Sequence, residues 1–381
     1  MRFDDDEGQA EFRRQLRAWI ADSEAQALRE EHDRDRAARP EVRRRWLQQL
    51  YRGGWLGVSW PRDVGGRGLS TFYEHIVNAE LGMAGALPKP YVSYLGWALI
   101  THGSDEQKQL LLPGLLSGEE GWCQGFSEPN AGSDLAGLQL KAVATDGGYL
   151  LDGQKIWTSD AAEADRCLVL ARTDPTDRYG GITAFVVPMD SRGIEIRPIR
   201  QITGDSEFCE VFYDGVEVPE NNIVGGIGAG WQVAMTVLRY ERAPEELGFT
   251  SRFASVLDER TRRARSERLR KGVIGSDVVA ALGRNRIGLD VLETFVLWQI
   301  GQRTNEGQRD GVENSMLKLF MAQVEQSLFR DGIEYGPGEL SPLLTGDFVE
   351  YLYSRAESIM GGTSQIQKNI IASRVLGMPR Q

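Results

Sequence analysis

Cysteine and histidine are scarce in this chain of 381 residues, which has three of each. Cys123, Cys167 and Cys209 form no Cys-x-x-Cys pair and have no histidine close by in sequence. These spacings argue against a disulfide framework and against a zinc site, so we expect no metal centre. The same cysteine usage is typical of a reducing compartment, and we expect a cytoplasmic protein.

The sequence also lacks a long apolar run, because no uninterrupted stretch reaches the roughly 18 residues that a membrane-spanning helix needs. Residues 1–9 are rich in Asp and Glu, whereas a secretory signal requires basic and then apolar residues. Positive charge is in the minority: 44 Lys and Arg face 55 Asp and Glu, a net charge of −11. We therefore expect neither a membrane span nor a nucleic-acid partner.

The chain is long enough for two or three structural units. Apolar residues recur every three or four positions from Phe12 to Leu50, from Tyr73 to Leu81 and from Asp105 to Leu116, which predicts helices. Short alternating runs such as Val143–Tyr149 and Cys167–Ala171 predict strands between residues 121 and 230, and long helical periodicity returns after Trp231. We predict a mainly α protein with a central β-domain, divided into domains 1–120, 121–230 and 231–381, the last an antiparallel helical bundle.

Two segments of the predicted β-domain carry residues suited to binding a ligand. In the string 125–134 (GFSEPNAGSD), small residues and hydroxyls leave backbone N–H groups free to meet a flat ring or an anion. In the string 153–159 (GQKIWTS), Trp157 could cover a ring while a neighbouring hydroxyl bonds its edge. Taken singly, the first string could equally be a plain serine turn, and the second a buried core tryptophan beside a capped turn.

Together these two strings resemble the flavin-binding β-domain signature of the acyl-CoA dehydrogenase family. Four further strings resemble landmarks of that family in the same order, and the likeness spans almost the whole chain: 61–66 (PRDVGG), 103–108 (GSDEQK), 218–220 (VPE) and 362–367 (GTSQIQ). The resemblance implies an N-terminal helical domain, a middle β-barrel-like domain and a C-terminal four-helix bundle. It also implies bound FAD between the β-domain and the bundle, a homo- or hetero-oligomeric dimer or tetramer, and electron transfer to an electron-transferring flavoprotein.

The resemblance assigns binding roles residue by residue. The positions that match cofactor contacts are Gln124, Phe126, Ser127, Gly132, Ser133, Trp157, Thr158, Ser159, Arg268, Thr363 and Gln365. Those that match substrate contacts are Ser133, Arg242, Gly361 and Gly362. Ser159 stands where the family usually has threonine, and it keeps the hydroxyl.

The expected catalytic base departs from the common family pattern. Many members have a glutamate directly before the Gly-Thr-Ser-Gln string, but here that position is Gly361, which could offer only its backbone N–H to a thioester oxygen. Another branch places the base in a Leu-x-x-Glu-Arg pattern on an earlier helix, and residues 238–242 (LRYER) match it. A desolvated carboxylate holds a proton more strongly, which suits abstraction of a weakly acidic α-proton. We therefore predict Glu241 as the base; the alternative is an exposed glutamate paired with a neighbouring arginine.

Two cross-subunit flavin motifs are not intact. Where the family has Arg-x-x-Phe-Gly, this chain has 267–272 (ERLRKG), and where it has Gln-x-x-Gly-Gly-x-Gly, this chain has 331–338 (DGIEYGPG). Such loss also occurs in family branches that form mixed tetramers of two kinds of subunit.

Three hypotheses follow from the sequence. The first is FAD-dependent dehydrogenation of an acyl thioester, either acyl-CoA or acyl-carrier protein, to an enoyl thioester. The second is a subunit of a heterotetrameric acyl-CoA dehydrogenase that supports a catalytic partner. The third is a flavin monooxygenase on the same scaffold. Bulky Trp97 and Tyr240 indicate a short or constrained acyl chain.

Overall fold

The computed structural model describes residues 5–89, 92–243, 246–306, 312–335 and 346–379. Close packing divides the chain into two compact units. The first comprises Met1–Glu30, Leu69–Pro88 and Arg242–Gln381, and the second comprises Glu31–Gly68 and Lys89–Glu241. The helices are α1 Glu7–Asp22, α2 Ala25–Arg34, α3 Arg39–Arg52, α4 Thr71–Met83, α5 Val92–His102, α6 Asp105–Ser117, α7 Gly230–Glu241, α8 Ser251–Lys271, α9 Ser276–Glu306, α10 Glu313–Glu334, α11 Gly346–Tyr353 and α12 Ser364–Ile370.

The second unit contains a mixed β-sheet. Its strands are β1 Trp122–Gly125, β2 Lys141–Thr145, β3 Gly148–Ser159, β4 Arg166–Arg172, β5 Ile182–Pro188, β6 Ile194–Pro198, β7 Phe208–Pro219 and β8 Ile223–Val224. They pair in the order β6-β7-β3-β2-β4-β5-β8, and β1 adds to β4 in parallel. The inward side chains of β4 and β5, including Val169 and Phe185, are fully buried. The sheet therefore has a continuous apolar core.

One predicted strand is wrong. The run Val143–Tyr149 was expected as a single strand, but it contains a reversal: β2 ends at Thr145 and β3 begins at Gly148. Gly147 takes a positive φ of 98°, a conformation that glycine adopts without strain. The hairpin depends on this backbone conformation, which the alternation of apolar residues does not report.

Helix α6 is fixed by its N-terminus. Ser104 and Gln107 form a capping box, in which the Ser104 side chain accepts from Gln107 N and the Gln107 side chain accepts from Ser104 N. The same Gln107 side chain donates to the carbonyls of Asn221 and Ile223, each at 2.8 Å. One glutamine thus helps to cap the N-terminus of the helix and ties it to the chain segment that enters β8.

The first unit is helical. Its core includes Phe253 and Leu257 of α8, Leu292 and Val296 of α9, and Leu328 of α10, all nearly inaccessible to solvent. The alternation of helical, β and helical segments along the chain confirms the predicted mainly α fold with a central β-domain. Within the described residues, no helix is both long and apolar enough to cross a bilayer.

Candidate functional site

The string 126–134, which we call the serine loop, is joined to residues 153–159, which we call the tryptophan segment. Ile156 N donates to the carbonyl of Ser127 at 3.0 Å, and Lys155 Nζ donates to the carbonyl of Phe126 at 3.1 Å. The two strings singled out in the sequence therefore lie side by side at the end of β3.

A buried ion pair lies beneath this junction. Lys155 is completely buried, and its Nζ lies 2.8 Å from Glu128 Oε1. Glu128 also accepts from Gln139 N at 2.6 Å and from Leu140 N at 2.8 Å. Burial lowers the pKa of Lys155 to about 8, and the Glu128 carboxylate opposes that shift. The pair is well satisfied by hydrogen bonds, as a buried charge requires.

Trp157 is turned outward by a bulge. Lys155 pairs with Val211 and Thr158 pairs with Cys209, so the two residues between them on β3 face a single residue of β7. Trp157 takes a left-handed φ of 61°, which is unusual for a bulky side chain. Trp157 is 56% exposed. Exposure of a large aromatic on a strained backbone is typical of a ligand-binding position.

The neighbouring residues fit a flat ring that has a hydrogen-bonding edge. The Thr158 hydroxyl is buried and has no hydrogen-bond partner among the described residues, while Ser159 is half-exposed. In the serine loop, Ser127 is half-exposed, and Gly132 and Ser133 are exposed. A Cβ built on Gly132 would meet no atom within 4 Å, so the chain itself does not explain the glycine.

Glu241 is the last residue of α7. One of its carboxylate oxygens, Oε2, is buried. The preceding Tyr240 stacks on Trp97 of α5, with ring centroids 4.8 Å apart and planes 4° from parallel. A further contact between the two helices joins His102 Nε2 to Thr236 Oγ1 at 2.8 Å. The end of α7 is thus held by an aromatic stack and a hydrogen bond to α5.

In the first unit, Gly361 and Gly362 form a tight turn that we call the glycine turn, residues 361–363. Their φ angles are 63° and 95°. Arg242 Nε donates to the carbonyl of Gly361 at 2.7 Å, and Gln367 Nε2 donates to the carbonyls of Gly361 and Gly362 at 3.2 and 3.1 Å. Arg242 therefore joins the two other predicted substrate-binding residues of this unit, and it does so by supporting their backbone.

The remaining predicted residues are placed singly. Thr363 caps α12, its hydroxyl accepting from Ile366 N, and Gln365 is exposed on the same helix. Gln124 lies on β1, half-exposed. Arg268 is exposed on α8, and within the described ranges no hydrogen bond or ion pair joins its side chain to the glycine turn. Of the stretch 331–338, residues 336–338 lie outside the described residues.

Sequence reasoning missed three supporting residues: Glu128, Lys155 and Gln367. Lys155 and Glu128 stood inside the strings that were singled out, but neither was given a role. A signal was present for Lys155, because a charged residue at an inward position of a strand calls for a buried partner. Gln367 carried no comparable signal, since its position on a helix is compatible with exposure.

Most of the chain matches three patterns of one protein family. The pattern described as acyl-CoA dehydrogenase, N-terminal domain, covers residues 6–119, that of the middle domain covers 123–216, and that of the C-terminal domain covers 228–376.

Individual proteins give the same result. The chain is 37% identical to acyl-CoA dehydrogenase IpdE1 of Mycolicibacterium smegmatis, covering 97% of this chain and 98% of that protein. It is 30% identical to acyl-CoA dehydrogenase FadE26 of Mycobacterium tuberculosis, covering 98% and 97%.

Solved structures share the fold over its full length. The Tcur3481-Tcur3483 steroid ACAD superposes with a TM-score of 0.88 at 29% identity and full coverage of both chains. The ChsE4-ChsE5 complex from Mycobacterium tuberculosis superposes with a TM-score of 0.83 at 28% identity, again over both whole chains. On these matches and on the fold, the chain belongs to the acyl-CoA dehydrogenase family, and it is an FAD-dependent oxidoreductase.

Proposed function

We propose that the protein removes two hydrogens from an acyl thioester to give an enoyl thioester, with Glu241 as the base. The observation that carries this proposal is the position of Glu241: a carboxylate with a buried oxygen ends α7, while position 361 has no side chain to serve instead. Family membership supports the reaction class.

FAD is the cofactor, and it supplies the hydride acceptor when bound. Trp157, Thr158 and Ser159 would hold its ring system, Trp157 through its exposed side chain and the other two through their hydroxyls. Ser127, Ser133 and the backbone at Gly132 would hold the rest of the cofactor, because this loop offers exposed donors and room for close approach. By resemblance, Gln124, Phe126, Arg268, Thr363 and Gln365 complete the proposed cofactor contacts.

Glu241 takes the α-proton of the acyl thioester. One of its carboxylate oxygens is buried and so shielded from water, as suits a general base that takes the α-proton. Gly361 and Gly362 present backbone N–H groups to the thioester, and Arg242 holds that turn through the Gly361 carbonyl. Ser133 is a further proposed substrate contact.

The acyl group is constrained and ring-bearing rather than a long straight chain. Tyr240 precedes Glu241 in the chain and stacks on Trp97, so two large flat side chains lie at the end of α7. A full-length structural relative at 29% identity is described as a steroid ACAD. The arm that carries the acyl group is that of CoA or of an acyl-carrier protein, and an electron-transferring flavoprotein takes up the electrons, in the cytoplasm.

The test is anaerobic bleaching of the flavin absorbance by a panel of thioesters: short straight-chain, branched and ring-bearing acyl-CoA, and an acyl-carrier thioester. We expect a ring-bearing ester to bleach the wild-type flavin. Glu241→Gln should keep FAD but slow bleaching by at least about 100-fold, as expected for loss of a general base.

The matched control is Glu217→Gln, which changes an exposed glutamate on β7 of the same unit. Bleaching at the wild-type rate by the Glu241→Gln variant would contradict the assignment of the base. Bleaching by straight-chain esters alone would contradict the proposed acyl group, and oxygen consumption without enoyl product would favour a monooxygenase.

A second candidate is a subunit of a heteromeric acyl-CoA dehydrogenase. Two features support it: the altered family strings at 267–272 and 331–338, and an apolar groove on α9 lined by Ile287, Asp290, Val291, Thr294, Phe295 and Trp298. Ile287 in this groove is 66% exposed. Two structural relatives are described by paired names.

Flavin content and mass of the chain purified alone test this candidate. If the protein is such a subunit, we expect little FAD in the chain purified alone and recovery of FAD on co-expression with a second chain of the same family. One FAD per chain in a homo-oligomer would contradict it.

A further inference from the structure

Lys155 and Glu128 form a buried cation and anion at the point where the serine loop meets the tryptophan segment. The Lys155 ammonium makes two hydrogen bonds, one to the Phe126 carbonyl and one to the Glu128 carboxylate. Both acceptors belong to the first three residues of the loop. The lysine therefore binds the loop through backbone and side chain at once.

The Glu128 side chain extends this link beyond the loop. Its carboxylate accepts the N–H groups of Gln139 and Leu140, directly before β2. Its backbone N–H also donates to the Ala131 carbonyl at 3.1 Å, and Ala131 N donates to the Glu128 carbonyl at 3.0 Å. Through its backbone and its carboxylate, Glu128 thus holds both the start and the end of the segment that carries Gly132 and Ser133.

The lysine is next to residues with a different role. Ile156 N donates to the Ser127 carbonyl, and the bulge that turns Trp157 outward begins after Lys155. Lys155 points inward while Trp157 is exposed. A shift of Lys155 would therefore move the serine loop relative to Trp157 and Ser159.

We propose that the Lys155–Glu128 pair is a positioning device that holds the serine loop and the tryptophan segment in one fixed register, so that they form a single flavin-binding surface. Neither residue touches the flavin. The inference rests on the proposed function, since it concerns the FAD that this surface binds.

The experiment compares Lys155→Met with the wild-type holoenzyme. Its readouts are the rate of FAD release after dilution, followed by flavin fluorescence, and the visible circular dichroism of bound FAD, which reports the ring's surroundings. We expect release to be about 10- to 100-fold faster, the change that loss of a hydrogen bond to a charged group corresponds to. The visible circular dichroism should change as well. Lys141→Met is the matched control, because Lys141 is an exposed lysine on β2 of the same sheet.

Two further variants decide the outcome if Lys155→Met does not fold. Lys155→Arg keeps the charge but not the shape, and Glu128→Gln keeps the shape but removes the counter-ion. Each should speed FAD release and change the visible circular dichroism.

Variants that lower the melting temperature but release FAD at the wild-type rate, with an unchanged circular dichroism, would overturn the inference and leave the pair a structural element only. A wild-type chain that never holds FAD would contradict the proposed function itself, and the inference would fall with it.

Discussion

The serine loop and the glycine turn hold their backbones in different ways. In the serine loop, the Phe126 carbonyl is held by the buried ammonium of Lys155, whose counter-ion Glu128 is also buried. In the glycine turn, carbonyls are held by the Arg242 guanidinium and by the amide of Gln367, and the backbone takes two left-handed φ angles in succession. One segment depends on a charge pair and the other on the absence of side chains.

This difference shows what each segment can tolerate. A Cβ on Gly132 would meet no atom within 4 Å, so the serine loop has room on its exposed side. A Cβ on Gly362 would lie 2.6 Å from Gln367 Nε2 and 3.0 Å from Arg242 Nη2. The glycine turn is therefore limited by its own chain, whereas the chain leaves room for a side chain at Gly132 of the serine loop.

Alanine substitution at these two glycines should give the largest contrast. Gly362→Ala combines a left-handed φ with a close contact, and we expect it to destabilise the protein by about 1 to 3 kcal/mol. Gly132→Ala should leave the stability of the flavin-free chain within about 0.5 kcal/mol of wild type, yet weaken FAD binding. Chemical denaturation and FAD titration measure the two effects. Equal loss of stability in both variants would remove the contrast.

Gln367 offers a smaller test of the glycine turn. Gln367→Leu removes the donor to two carbonyls from a fully buried position, and we expect a loss of about 1 to 2 kcal/mol in the free energy of unfolding. Gln365→Leu is the matched control, because Gln365 lies two positions away on the same helix and is exposed. If both variants were equally stable, the amide would not be holding the turn.

Of these two segments, only the serine loop should change the stability of the protein as the pH becomes alkaline. The pKa of Lys155 is lowered from 10.5 to about 8, chiefly by burial; Glu128 and Cys167 raise it and Arg172 lowers it further. Between these values the unfolded chain binds a proton that the folded chain has released, so raising the pH stabilises the folded state through this residue.

The unfolding free energy of wild type minus that of Lys155→Met should therefore increase as the pH rises from about 8 to 10.5. Its slope should be at most about 1.4 kcal/mol per pH unit. Gln367→Leu, which removes no titrating group, should show no such trend relative to wild type. A flat or falling difference for the lysine variant would contradict the assignment.

Much of the fold could be predicted from the order of patterns along the chain. Helical spacing over Asp105–Leu116 predicted α6 to within one residue of its end at Ser117. The hairpin at Gly147 could not be found in this way, because a two-residue reversal between apolar residues leaves the alternation almost intact. Local periodicity reports an element, but not where its backbone turns.

The residues of the candidate site were proposed from resemblance and not from periodicity. Resemblance singled out the strings that hold Ser127, Trp157 and Gly361, and the glycine at 361 turned attention to Glu241. It did not find Lys155 or Gln367, because their importance comes from the carbonyls they meet. The Phe126 carbonyl lies 29 residues from Lys155 along the chain. The carbonyl of Gly361, which Gln367 meets, belongs to a turn that the pattern of the helix does not predict.

The sequence by itself determined the class of protein, the order of helices and strands, and the absence of a carboxylate at position 361, since each is a property of residue type and spacing. Only the tertiary structure decided that the serine loop lies against the tryptophan segment, that a bulge exposes Trp157, and that Arg242 supports the glycine turn. The physical reason is that hydrogen bonds to backbone carbonyls and burial of charge depend on which segments meet in space, and residue spacing does not encode that meeting.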